Sequence, residues 1–313
     1  MKLGAKLWTP PSAEAAQEFY QFSKEHPLDA ILKLYNSEEA PVSLNSNNRA
    51  KEIGKLIIAA IEHGNPFSLT RMSDGEGNCL FNDENYPNLQ KYVKERISYI
   101  HFGDNFVVPS HSDHFFEMMQ SSISTADVVC VPEHQAISRG FQADEESLDV
   151  RAAVGNRMSA IGVSRLINQH QITASAWTNR HLLEYYKTIF GGRECVGVIA
   201  SYPGLAEMMK KQFQIGEVIQ HVIPQQAVFL KTSDRKNSFH FPDVFEKIVG
   251  EINPITPGMP YLVSGGLLAK YYCHVIKSRG GVAIDTGSVP EIWLGIPNRG
   301  LSEEFISRWK LNN

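Results

Sequence analysis

Apolar residues recur along this chain in two rhythms that alternate. Between residues 49 and 63, Ile53, Leu56, Ile57, Ala60 and Ile61 fall three to four apart, the period of one helix face, and Gly64 follows as a stop. Residues 67–71 then form a short β-prone run ending in Arg71. The pattern continues. Spacing predicts helices over 112–122, 151–169, 178–190, 204–213, 242–252 and 267–279. Apolar runs predict strands over 127–131, 194–200, 218–223, 261–264 and 281–285. Near the start, Ser12-Ala13-Glu14 resembles a helix N-terminus, with Ala15, Phe19 and Phe22 on one face.

Runs such as Val196-Gly197-Val198-Ile199-Ala200 lack polar alternation, which fits strands covered by helices on both sides. Repeated strand–helix alternation predicts an α/β fold: a Rossmann-like, mostly parallel sheet flanked by helices. Residues 1–48 read as an N-terminal helical extension and 49–313 as one α/β domain, with irregular loops at 133–149 and 232–239. The chain shows no internal repeat and no low-complexity tract.

Composition narrows the class. Of 313 residues, 42% are hydrophobic and 20% charged, which is globular and not disordered. The formal net charge is -4 and no basic stripe is interleaved with aromatics, so no nucleic-acid partner is expected. Cys79, Cys130, Cys195 and Cys273 lie far apart without a Cys-x-x-Cys pair. That spacing argues against a zinc site or disulfide framework and for a reducing compartment. The first residues lack the apolar core of a signal peptide, and no stretch reaches the ~18 apolar residues of a membrane span. The expectation is a soluble cytoplasmic protein.

The chemistry gathers at predicted strand ends, where ligands bind in open α/β sheets. After the 67–71 run comes Ser73-Asp74-Gly75-Glu76. Read as a tight turn, it places two carboxylates at the strand mouth, with Gly75 letting the backbone bend. Two hard oxygen ligands there suit Mg²⁺ or Mn²⁺ completed by substrate phosphates and water. Arg71 could add a forked donor to phosphate or fix a carboxylate. The plainer reading is that Asp-Gly makes an ordinary turn, or that one acid caps the next helix.

A second strand end, Ser201-Tyr202-Pro203-Gly204, leads into a helix. A third, Ser264-Gly265-Gly266-Leu267-Leu268-Ala269-Lys270, could offer backbone N–H groups, a hydroxyl and an ammonium to an anion. It is neither a Walker A loop nor a dinucleotide fingerprint. A fourth, Asp285-Thr286-Gly287-Ser288, could bind a ribose or sugar hydroxyl, supply a base, or cap a turn. His111-Ser112-Asp113-His114 looks like a metal cluster but reads better as a helix start.

With these residues in view, the chain resembles the GT-D-fold glycosyltransferases and their GT-D-like relatives. The family's Arg-x-Gly-Asp-Gly-Glu motif reads here Arg71-Met72-Ser73-Asp74-Gly75-Glu76, with serine at the usual glycine position. Further blocks lie at 201–206, 240–245, 262–270 and 280–288, and the likeness covers about residues 50–298. The resemblance implies transfer of a sugar from a nucleotide-diphosphate donor to an acceptor hydroxyl on a glycan, lipid-linked or protein substrate. It implies Asp74 and Glu76 as ligands of Mn²⁺ or Mg²⁺. It further implies donor contacts from Arg71, Ser73, Tyr202, Gly204, Ser264, Gly265, Gly266, Lys270, Asp285 and Ser288.

Glu133, His134, Asp144, Glu145, His240 and Asp285 are all conceivable bases for an inverting reaction. A non-catalytic nucleotide-sugar-binding module of the same fold is the alternative. A methyltransferase-type fold would carry a glycine-rich loop after an early strand, where this chain has carboxylates.

Overall fold

Among the described residues seven strands form, six of them from the predicted runs, with side chains that alternate between the two faces of one sheet. The computed structural model describes residues 10–35, 46–138, 149–227, 239–297 and 301–311. In chain order the strands are β1 (Phe67–Arg71), β2 (Val128–Val131), β3 (Ile172–Ser175), β4 (Cys195–Ala200), β5 (Glu217–Val222), β6 (Pro260–Val263) and β7 (Val282–Asp285). They form one sheet in the order β3-β2-β1-β7-β6-β4-β5, and every pairing is parallel. Leu69 of β1 pairs with Val128 on one side and Ile284 on the other, while Leu262 of β6 pairs with Ile284 and Val198. This register aligns the carboxyl ends of β1, β7, β6 and β4, the four strands that carry the four motifs.

The helices that position the site are α1 (Ala13–Glu25), α2 (Leu28–Tyr35), α3 (Ser46–Glu62), α4 (Asp74–Leu80), α5 (Pro87–Phe102), α6 (Ser112–Thr125), α7 (Val150–Leu166), α8 (Leu205–Phe213), α9 (Phe245–Glu251) and α10 (Ala269–Ser278). One sheet face, with Val129, Val131, Ile199, Tyr261, Val263 and Ala283, packs under α4, α5, α6, α9 and α10. The other, with Leu69, Val128, Cys130, Val198, Leu262 and Ile284, packs under α3 and α8. Strands buried on both faces explain why their sequences carry no polar alternation.

The N-terminal helices pack against the α/β domain, α1 in a cluster of its own with Phe81 and Tyr86. Phe22 of α1 sits 5.4 Å from the Phe81 ring and 5.7 Å from Tyr86, and Ile31 of α2 joins the cluster under the sheet. All four cysteines are buried and unpaired, as small hydrophobes. Among the described residues, no helix is long and apolar enough to cross a membrane.

Several elements depart from the sequence reading, three of them close to the sheet. The expected helix over 178–190 breaks into Thr178–His181, a tighter turn Leu182–Glu184, and Tyr186–Phe190. β3, short and half polar, gave no strand signal and lies at a sheet edge. α5 was not expected, although Pro87 opens it, Leu89, Val93 and Ile97 line its buried face, and Gly103 closes it with φ 75°. Ser112 does open a helix, and the His111 and His114 rings pack 5.2 and 5.9 Å from Phe241. Residues 139–148, with Asp144 and Glu145, lie outside the described residues, as does most of the 232–239 loop.

Candidate active site at the carboxyl edge of the sheet

The motif after β1 is helical, which corrects the expected tight turn. Ser73 is extended (φ -148°, ψ -160°) and stands as the N-cap of α4, whose first turn is Asp74-Gly75-Glu76. Ser-x-x-Glu is a capping-box sequence, and Glu76 reaches back as that motif requires. Its Oε2 accepts from the Ser73 backbone N–H (2.9 Å) and from the Ser73 hydroxyl (2.7 Å). Serine at position 73 therefore has a structural use here.

The other oxygen of Glu76 meets Lys270. The ammonium lies 2.8 Å from Glu76 Oε1 and 3.0 Å from Asp285 Oδ2, and it donates to the Gly266 carbonyl at 3.1 Å. All three side chains are buried. Burial alone would raise the Glu76 pKa; Lys270 and the Ser73 hydroxyl outweigh it and hold the carboxyl below its ordinary value. Burial would likewise lower Lys270, but Asp285 and Glu76 keep it above the ordinary value. Lys270 is thus a brace between two motif loops, and not the open phosphate ligand expected from its spacing.

Arg71 completes the brace. Its Nε donates to the Ala176 carbonyl at 2.7 Å, and its Nη1 stands 3.9 Å from Asp285 Oδ1, which accepts from Gly287 N–H at 3.1 Å. Gly287 has φ 52°, and a Cβ there would lie 1.8 Å from Arg71 Nη1, so only glycine admits the guanidinium. The Ser264 hydroxyl donates to the Gly287 carbonyl at 2.6 Å, linking the β6 and β7 ends.

Asp74 has a different environment. Its Oδ2 lies 2.5 Å from Arg151 Nη1, and Arg151 Nη2 lies 3.0 Å from Asp149 Oδ2. Burial would lower Arg151, but the two carboxylates raise it further, so it is permanently charged. Arg151 arrives on α7 because two glycines let α7 touch α4 backbone to backbone: a Cβ on Gly155 would lie 2.0 Å from the Asp74 carbonyl oxygen. Ser159, one turn on, donates to the Ser73 carbonyl. The Asp74 side chain remains 32% exposed, enough to meet a ligand.

These carboxylates fit a divalent ion unequally. Both Glu76 oxygens already accept from Ser73 or Lys270, so a metal there would have to share them with these donors. Asp74 keeps access to the cavity. Among the described residues, no three metal-ligating side chains converge.

The space between the four strand ends is a cavity of about 540 Å³, within the range of small-molecule sites. Arg71, Ser73, Asp74, Glu76, Tyr202, Ser264, Gly265, Gly266, Lys270, Asp285 and Ser288 all line it. Of the expected site residues, Gly204 is not in the lining; it caps α8 facing open space. Of the conceivable bases, His240 and Asp285 line the cavity, whereas Glu133 accepts from Ser175 and, like His134, lies outside the lining. His240 is hydrogen-bonded to the Tyr272 hydroxyl at 2.9 Å.

The lining also holds Tyr92, Arg96 and His101 from α5, with Arg151 and Glu291. None had a motif signal. Only the helical spacing of 92, 96 and 100, read with Pro87 and Gly103, would have found the α5 wall. Burial pulls His101 down to about 4, against Glu76 and Asp74, and pulls His240 down to about 3, helped by His101. Both imidazoles are neutral at pH 7.

No known family model matches the chain, and no curated protein matches it. Two solved structures are similar. One is a selenomethionine-substituted domain of unknown function 1792, 15% identical, with TM-score 0.49 over 90% of this chain and 93% of that one. The other, also a domain of unknown function 1792, is described as having a distinct glycosyltransferase fold. It is 15% identical, with TM-score 0.47 over 85% of this chain and 92% of that one. The α/β fold stands on this chain's own sheet order and register, and the site's chemistry on its own side chains.

Proposed function

We propose that the cavity binds a nucleotide-diphosphate sugar and transfers the sugar to an acceptor hydroxyl of a glycan, lipid-linked or protein substrate. The observation that carries this reading is convergence. Four motifs spread over more than two hundred residues, four of the five blocks on which the GT-D resemblance rests, meet in one cavity at the carboxyl ends of adjacent strands. Tyr202 and Ser288 suit the nucleoside side, and the Gly265–Gly266 turn lines the same cavity as a place for the diphosphate. A metal enters this reading through Asp74: Mn²⁺ or Mg²⁺ held there would offset charge on the departing diphosphate.

Incubation with a panel of nucleotide sugars, with Mn²⁺ or with EDTA and without acceptor, tests the proposal through release of nucleoside diphosphate. Release from at least one donor is the expected result. A second reading, binding without transfer, is favoured by the ties on both cavity-lining bases, Asp285 to Lys270 and His240 to Tyr272. Donor-induced thermal stabilisation without any release would select it. Neither stabilisation nor release with any donor would sink both.

A further inference from the structure

Four cationic side chains line the cavity, and three are already matched by carboxylates. Lys270 bridges Glu76 and Asp285, Arg71 stands by Asp285, and Arg151 is shared by Asp74 and Asp149. Arg96 is the exception. Among the described residues it makes no ion pair and no hydrogen bond, yet it lines the cavity from the middle of α5.

Its surroundings favour an anion. Ile97 and Ile100 are apolar, and His101 is neutral, so Arg96 carries the only charge that α5 brings to this wall. A charge against an apolar wall attracts a counter-ion more strongly than one in open water. The wall also adjoins the β1 motif. Ile97 Cδ1 and His101 Nε2 lie 3.1 and 3.6 Å from where a Cβ on Gly75 would sit. By contrast, Lys270 would have to leave two buried carboxylates to bind a phosphate, an exchange that uncovers charge.

We propose that Arg96 anchors the diphosphate of the donor, which lies along α5 opposite the Lys270 brace. This assignment rests on the nucleotide-diphosphate reading above. The guanidinium offers a planar fork matched to two phosphate oxygens.

Calorimetric titration with inorganic pyrophosphate, uridine diphosphate, guanosine diphosphate and the two parent nucleosides tests it on wild type, R96Q and R96K. R96Q should weaken pyrophosphate and diphosphate binding by about tenfold or more, while leaving nucleoside binding unchanged. R96K should recover only part, since an ammonium has no fork. Melting temperatures should stay near wild type, because the side chain has no folded-state partner to lose. Pyrophosphate and diphosphate binding in R96Q equal to wild type would overturn the Arg96 assignment alone. A wild-type protein that binds neither pyrophosphate nor either diphosphate would overturn the assignment together with the donor reading beneath it.

Discussion

The contact between α4 and α7 makes a sharp prediction for Gly155→Ala. A Cβ at 155 would lie 2.0 Å from the Asp74 carbonyl oxygen, 2.7 Å from its carbon and 2.8 Å from Asp74 Cα. These are backbone atoms and cannot swing aside, so the helices must part by about 1 Å or more to reach ordinary contact. On a free helix the same change would gain about 1 kcal/mol. Here it meets an overpacking cost of about 1–3 kcal/mol, together with weakened Ser159–Ser73 and Asn78–Arg151 hydrogen bonds worth about 1 kcal/mol each. The net expectation is a loss of about 1–4 kcal/mol, read as a lower urea midpoint at unchanged slope. Donor affinity should fall as well, because the shift separates Arg151 from Asp74. Gly162→Ala is the internal control: its Cβ would lie 2.7 Å from Leu80 Cδ1, the movable end of a side chain, and should be nearly neutral. A Gly155→Ala protein as stable as wild type, or more so, would refute the backbone-contact argument.

Gly287→Ala should displace the Arg71 guanidinium and strain a residue at φ 52°, lowering both stability and nucleotide affinity; an unchanged titration would count against the Arg71 brace. Glu76→Gln should cost about 3 kcal/mol in urea unfolding, since it removes one partner of a buried ion pair, whereas Asp74→Asn should cost less, because Asp74 is partly exposed and Arg151 keeps Asp149, and should lose metal-dependent donor binding. Equal stability losses in the two variants would contradict their separate roles. His101 and His240 titrate near 4 and 3 when folded and near 6.5 when unfolded, so the unfolded chain takes up protons first as pH falls. Stability should therefore be full above about pH 6.5 and decline below it, with a shallower decline in His240→Asn. A flat urea midpoint between pH 7 and pH 5 would exclude this linkage.

The sheet was legible because doubly covered parallel strands have a simple signature, an unbroken apolar run closed by a turn. The site was legible at its strand ends, where the chemistry sits within a few residues of the motif that announces it. What stayed hidden was brought in by helices. Arg151 reaches Asp74 only because Gly155 and Gly77 allow two backbones to touch, a tertiary fact with no local pattern. Arg96 and His101 sit on α5, whose polar residues dilute its helical period. Glu76 shows the opposite case: spacing alone permitted both a metal ligand and a helix cap. The cap forms because Ser73 precedes Glu76 by three residues and Lys270, almost two hundred positions on, supplies the charge that keeps it buried.

Hydrogen exchange with and without saturating uridine or guanosine diphosphate tests the central claim most directly. Protection should rise in peptides spanning 71–80, 92–103, 264–270 and 285–288, four of the segments that line the cavity. Protection confined to other surfaces, with these segments unchanged at saturation, would contradict the account.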